Sequence, residues 1–235
     1  MRIESLERLI ACRSAHRPCV LFRDLDTHES FVLEPGLHVD EEDAELHELA
    51  MQALRTDRCV RRDVRGQDWF VQPFNAPLRL IIVGAVHTGQ YLASYARSCG
   101  YDVVVVDPRQ AFASEARFPG VTLNTEWPDY ALEALAPDTR TALVTLTHDP
   151  KLDDPALQAA LRSPAFYIGA LGSRRTQAAR VERLREAGLD ETEIARLKAP
   201  VGLDIGARSP AEIAVSIMAE ITTTLRKDLS ADDAD

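Results

Sequence analysis

The chain has 235 residues, 46% of them apolar and 27% charged, with 27 basic against 37 acidic side chains for a formal net charge of −10. That balance can bury a core without a disulfide or metal staple, and its acidity weighs against nucleic-acid binding as the main role, because neutralising phosphates asks for a basic surface. The longest apolar runs, Leu80 to Val86 and Val103 to Val106, fall far short of the roughly 18 residues of a membrane-spanning helix.

In chain order, Glu4, Glu7 and Arg8 interrupt the apolar residues of Met1 to Arg13, so no secretory h-region is read there. Cys12, Cys19, Cys59 and Cys99 have no C-x-x-C spacing, which predicts reduced thiols in a cytoplasmic protein and no zinc site. A short helix is expected over Ile3 to Ala11, short strands over Cys19 to Arg23 and Ser30 to Leu33, and a turn at Glu34-Pro35-Gly36. Asp40 to Leu54 reads as a helix, acidic in its first turn (Asp40, Glu41, Glu42, Asp43) and striped with Leu46, Leu49, Ala50, Ala53 and Leu54. Arg55, Arg58, Arg61, Arg62 and Arg65, offset by Asp57 and Asp63, read as a solvated face. Trp69 to Val71 forms one more strand, and Pro73 to Pro77 a linker.

From Leu78 strands alternate with helices. Strands are expected over Leu78 to Val83, Asp102 to Val106, Val121 to Leu123, Thr141 to Leu146 and Ala165 to Ile168. The first two are continuous apolar runs, as strands buried on both faces require. Helices are expected over His87 to Cys99, Phe112 to Phe118, Asp129 to Leu135, Asp154 to Leu161, Ser173 to Ala187 and Asp190 to Leu197. A last helix runs from the capping box at Ser209-Pro210-Ala211-Glu212 to about Leu225. This alternation predicts a parallel sheet covered on both faces, with its ligand crevice at the carboxyl ends of the strands.

The loops at those ends carry the candidate chemistry. Gly84-Ala85-Val86-His87-Thr88-Gly89 sits where a dinucleotide fingerprint belongs, with Gly84 and Gly89 in place and Val86 at the middle glycine position. A valine there crowds a conventional nicotinamide-dinucleotide pose, while the helix N-terminus behind it remains an anion site. Asp107, 23 residues beyond Gly84, suits a ribose diol or a pairing with Arg109, which itself suits a phosphate or carboxylate. His148 beside Asp149 suits an acid/base pair, a ligand contact or a loop fastening. Gly169-Ala170-Leu171-Gly172-Ser173-Arg174-Arg175 combines glycines, a capping serine and two cations in a second anion cradle. Asp204, in Pro200 to Ala207, either faces a ligand or ties down its loop. The patterns G-x-S-x-G, H-E-x-x-H and G-x-x-x-x-G-K-[ST] are absent, so nucleophilic hydrolysis, zinc peptidase and P-loop chemistry lack support, and no catalytic or metal-ligating set is assigned.

Six stretches, in order over residues 78–225, resemble the xanthine dehydrogenase accessory protein family (XdhC/CoxI type). They are Leu78 to Gly84 with His87; Val106-Asp107-Pro108-Arg109; Leu146-Thr147-His148-Asp149; Tyr167 to Arg174; Pro200 to Ala207; and Ser209 to Ala214. The family usually has a glycine in place of Val86, and an N-terminal glycine-rich stretch with a cysteine that residues 1–75 lack. The resemblance implies an α/β fold: a Rossmann-like parallel sheet with helices on both faces over 76–228. A small N-terminal α+β domain over 1–75 and a disordered acidic tail over 229–235 complete the expected organisation. It further implies an accessory role for a molybdenum hydroxylase. The chain would bind molybdenum cofactor (molybdopterin), protect it during sulfuration and hand it to the apoenzyme. The expected partners are that apoenzyme and a cysteine desulfurase, and the expected state is a homodimer. The implied cofactor-binding residues are Gly84, His87, Gly89, Asp107, Arg109, His148, Asp149, Gly169, Gly172, Ser173, Arg174 and Asp204. Two alternatives stand beside it: an NAD(P)-dependent oxidoreductase with Asp107 on the ribose and His148 as acid/base, and an assembly module that docks to a partner without binding a ligand.

Overall fold

The computed structural model describes residues 3–35 and 44–227. It divides into two compact units, 1–77 and 78 onward. The acidic first turn expected from Asp40 and the expected tail at 229–235 lie outside the described residues.

The first unit runs α1 (Ile3–Ser14), β1 (Cys19–Asp24), β2 (Ser30–Leu33), α2 (Ala44–Thr56), β3 (Val60–Val64) and β4 (Gln67–Phe74). Its antiparallel sheet has the order β2-β1-β4-β3. Alternation along β1 sends Val20 and Phe22 into one core with α2, where Trp69 meets Phe22 and Phe31 edge-on. Cys19 faces the other way, against Leu9 and Cys12 of α1. Burial pushes the Cys19 thiol up to about 12 and raises that of Cys12 too, and all four cysteines are free. The arginine run is in part a strand that its sequence does not announce. Arg61, Arg62 and Asp63 are exposed on β3, an edge strand, and Arg61 grips Asp68 of β4. Only Val60 and Val64 give β3 an apolar side, too few to register as a periodicity. β4 continues through Pro73 to Phe74, so the expected linker is shorter than 73–77.

The second unit runs β5 (Arg79–Val83), α3 (His87–Ser98), β6 (Asp102–Val106), β7 (Thr122–Asn124), α4 (Pro128–Leu135), β8 (Thr141–Thr145), α5 (Pro150–Arg162), β9 (Tyr167–Ala170), α6 (Arg174–Glu186), α7 (Glu191–Ala195), β10 (Leu197–Lys198) and α8 (Pro210–Lys227). All six strands are parallel, in the order β10-β9-β8-β5-β6-β7. Leu80, Ile82, Val103, Val105 and Val144 pack beneath α3 and α8, while Ile81, Val83, Val104, Leu143 and Ile168 face α4 to α7. Continuous apolar strands are the signature of a sheet buried on both sides.

Four expectations change. Residues 112–118 form turns, tied by Ala113 N–H to Arg109 O and Phe118 N–H to Ser114 O, with Phe118 as buried anchor. α5 starts a full turn early, at Pro150, because Asp149 caps it and a proline lacks only an amide that the first turn leaves unpaired anyway. β9 lies two residues later than expected, since Ser163 still closes α5. α7 ends at Ala195, and Leu197–Lys198 instead pairs with β9 as an edge strand.

Candidate functional site

Read from β7 across to β10, the sheet has the 3-2-1-4-5-6 order whose ligand crevice opens where the winding reverses, here between β5 and β8. The loops after β5, β6, β8, β9 and β10 all lie at this carboxyl edge, because every strand points the same way.

Gly84 has φ +106, and a Cβ on it would lie 2.4 Å from Thr147 Cγ2 and 3.3 Å from Thr147 N. The glycine therefore lets the β5 and β8 loops touch. Gly89 does the same for helix against strand, with a virtual Cβ 3.2 Å from Gly84 O. Val86 is the N-cap of α3, in extended conformation and with no side-chain cap, and its own side chain packs against the α3–α8 core. The first-turn amides of α3 thus have no side-chain acceptor, at the positive end of the helix dipole. His87 opens α3 exposed to solvent, its ring centroid 5.3 Å from that of Tyr91.

Asp107 and Arg109 are brought together, and Asp107 also reaches the loop after β5. The buried Asp107 carboxylate accepts from the Ala85 amide at 2.7 Å, the Arg109 amide at 3.0 Å, and Arg109 Nε and Nη2 at 2.9 and 2.8 Å. Four donors fill a carboxylate's four acceptor sites, so no oxygen is left for a ribose diol. Although burial opposes it, the Arg109 guanidinium and the two amides hold the Asp107 carboxyl below its usual value. Arg109 also lies over the Phe112 ring at 4.8 Å, and so serves as a fastening of its own loop.

His148 and Asp149 are both exposed and are not joined to each other. Asp149 caps α5 by accepting from Lys151 N–H at 3.0 Å. The acid/base pair read from their adjacency is therefore corrected. What the sequence reading missed lies beneath them. Thr147 Oγ1 donates to Asp153 at 2.6 Å, and Asp153 faces Arg180 Nη2 at 3.4 Å. The same Nη2 reaches Leu171 O at 2.9 Å, and Nη1 reaches Gln177. Asp153 and Arg180 are 2% exposed, and Arg180 Nε has no partner. Burial pushes the Asp153 carboxyl up to about 6, against the pull of Thr147 and Arg180, and lowers the affinity of Arg180 for its proton. This buried pair ties the β8 loop to the β9 loop. A pattern search passes over it because both residues sit inside helices, away from any glycine.

In the second cradle, Gly169 is interior to β9, and a Cβ there would strike Val201 Cγ2 at 2.5 Å and the Tyr167 hydroxyl at 2.9 Å. It is a packing glycine rather than part of a cradle. Gly172 has φ +151, Ser173 caps α6 by accepting from Thr176 N–H at 3.2 Å, and Arg174 is the first residue of α6. Asp204 is exposed, and the loop around it is held by Glu220 instead. That carboxylate accepts from Gly202 N–H at 2.8 Å and from the Tyr167 hydroxyl at 2.5 Å. Glu220→Ala should cost about 1–3 kcal/mol and speed hydrogen exchange of a peptide covering 200–208, read by mass spectrometry, with no change at α3. Unaltered exchange there would remove Glu220 from this role.

Residues 80–221 match the XdhC Rossmann domain. Among curated relatives, the Escherichia coli molybdenum cofactor insertion chaperone PaoD is 35% identical over 150 residues, covering 64% of this chain and 41% of PaoD. A Bacillus subtilis protein, named as a probable subunit of xanthine dehydrogenase, is 31% identical over 202 residues, covering 86% of this chain and 58% of its own length. The chain thus spans about half the length of these relatives. A crystal structure described as a xanthine dehydrogenase from Bacillus halodurans superposes with TM-score 0.70 at 22% identity, over 95% of this chain and 64% of that one, and so shares the fold.

Proposed function

This chain belongs to the XdhC family, and from that premise we propose that it is an accessory protein in the maturation of a molybdenum hydroxylase of the xanthine dehydrogenase type, holding molybdenum cofactor and passing it to the apoenzyme. The apoenzyme and a cysteine desulfurase are its partners in this reading, and the working form is a homodimer. The observation that carries the reading is the N-terminus of α3, capped by no side chain, at the switch point beside a Gly84 turn where a Cβ would strike Thr147. A pterin phosphate suits that end of a helix: the amides of the first turn donate and the dipole favours the anion. The cofactor, when bound, brings a phosphate and a metal dithiolene on a pterin. The chain itself supplies the amides of α3 and the exposed His87 and His148 at the rim, while Asp107, Arg109, Asp149 and Ser173 hold the loops in shape. The filled carboxylate of Asp107 disfavours the nicotinamide alternative.

The test is anaerobic calorimetry of the full chain with molybdenum cofactor, NADH, NADPH and AMP. Cofactor binding in the micromolar range or tighter, with none for the nicotinamides, is the expected outcome. Nicotinamide binding alone would overturn it. His87→Asp places a carboxylate where the phosphate is held, and should weaken cofactor binding about 10-fold without lowering the melting temperature, since an acid in the first turn suits the dipole. Equal binding by this variant would remove the α3 terminus from the site.

A further inference from the structure

On the flank of the second unit, away from the carboxyl edge, α3 and the segment 117–121 enclose a cleft of about 330 Å3. We propose that this cleft binds a phosphomonoester with a flat apolar body, held between the guanidinium groups of Arg97 and Arg117. The two arginines come from opposite walls. Arg97, in the last turn of α3, crosses the cleft to donate one N–H to Pro119 O at 2.9 Å. Arg117 donates one N–H to Phe112 O at 2.8 Å and stacks over the Phe112 and Phe118 rings at 5.6 and 5.8 Å. Each guanidinium is therefore fixed in place by one backbone carbonyl, with most of its five donors still open.

Like Arg79, Arg162 and Arg196, which bond to carbonyls, the two lack a carboxylate partner, and here both line one cleft. Arg61, Arg109 and Arg183 are each bound to an aspartate. No carboxylate among the described residues pairs with Arg97 or Arg117, and no acidic residue lines the cleft. Glu115, on the adjoining turn, is engaged by the Gly120 amide at 2.9 Å. In a chain of net charge −10, two cations facing one cavity without a counter-ion match a doubly charged anion. Ser94 lines the α3 wall and adds a hydroxyl, Ser98 donates its own to Ser94 O at 3.0 Å, and the exposed Pro119, with the edges of the largely buried Phe118 and Val121, supplies apolar surface. A phosphate on the guanidiniums and a ring on the apolar patch fit that lining, in a volume at the lower end of the range for small-molecule sites.

Phenyl phosphate, inorganic phosphate and benzoate are the probes, each titrated calorimetrically into the full chain at low salt. Phenyl phosphate is expected to bind with a Kd of about 1 mM or tighter, and inorganic phosphate more weakly for want of the ring. Arg97→Met and Arg117→Met should each weaken phenyl phosphate at least about 10-fold, and Arg97→Lys and Arg117→Lys by less, since the charge remains but the fork is lost. Arg61→Met, on β3 of the first unit, should leave this binding unchanged. Amide shifts on Ser94 and Val121 during the titration place the ligand independently of any loss of stability in the variants. The proposal is overturned if phenyl phosphate does not bind at about 10 mM, if the two methionine variants bind it as the unaltered chain does, or if benzoate binds equally well.

Discussion

An Arg180→Met chain should melt roughly 10 °C below the unaltered one, a loss of about 3–5 kcal/mol. The variant leaves the buried Asp153 carboxylate without its cation and Leu171 O without its donor. Removing one partner of a buried pair costs far more than removing both, because the survivor must either stay charged in a low-dielectric site or take up a proton. A double variant, Asp153→Leu with Arg180→Met, should therefore regain most of the loss. A melting shift below about 2 °C in the single variant would show that water already solvates the pair. Asp153→Asn tests the same site through pH. Burial pushes the Asp153 carboxyl up to about 6 in the folded chain, above its ordinary value of 3.8. Between those values the native state holds a proton that the unfolded state releases, so stability from this group falls as pH rises through the window. The stability of the unaltered chain relative to Asp153→Asn should fall from pH 4 to about 6 and then stay level, as read from chemical denaturation at each pH. A difference that is flat across this range would mean that Asp153 ionises normally.

Gly84→Ala is the second large effect, with an expected loss of about 2–4 kcal/mol. Its φ of +106 is outside the comfortable range of any residue with a Cβ, and that Cβ would meet Thr147 Cγ2 at 2.4 Å. The two costs can be separated. Thr147→Ser removes the offending methyl and keeps the hydroxyl bond to Asp153. In the Gly84→Ala background it should restore about 1–2 kcal/mol, leaving the backbone strain behind. No restoration in the double variant would put the whole cost on φ. A Gly84→Ala chain folded well enough to assay should also lose cofactor affinity, because the β5 and β8 loops that flank the crevice are pushed apart.

The parallel sheet was legible because β5, β6 and β8 are buried on both faces and their apolar runs are uninterrupted. The helices with clear caps, α6 behind Ser173 and α7 behind Asp190, were legible for the same local reason. Less visible were elements whose only support is a neighbour: β3, an arginine-rich edge held by β4, and β10, two residues held by β9. The site divided in the same way. Gly84, Gly89 and His87 announce themselves through spacing at a strand–helix junction. Asp153, Arg180 and Glu220 act across the fold, from helix interiors where a charged residue looks like surface. Asp107 and Asp149 show the converse: a carboxylate just beyond a strand looks like a ligand contact, yet the partners are the amides of Ala85, Arg109 and Lys151 and the Arg109 guanidinium.

The strand order also bears on how such a chain emerges from the ribosome. β5 gains its first neighbour once Val106 has been made, but its other edge waits for Thr141 to Thr145. The face bearing Leu80, Ile82 and Val105 keeps one side open until Ile217 and Ile221 of α8 arrive. Pairings separated by so much intervening chain close slowly, and the exposed apolar surface invites association meanwhile. A nascent chain stalled before Pro210 would present a half-covered sheet, the form on which holding chaperones and quality-control proteases act.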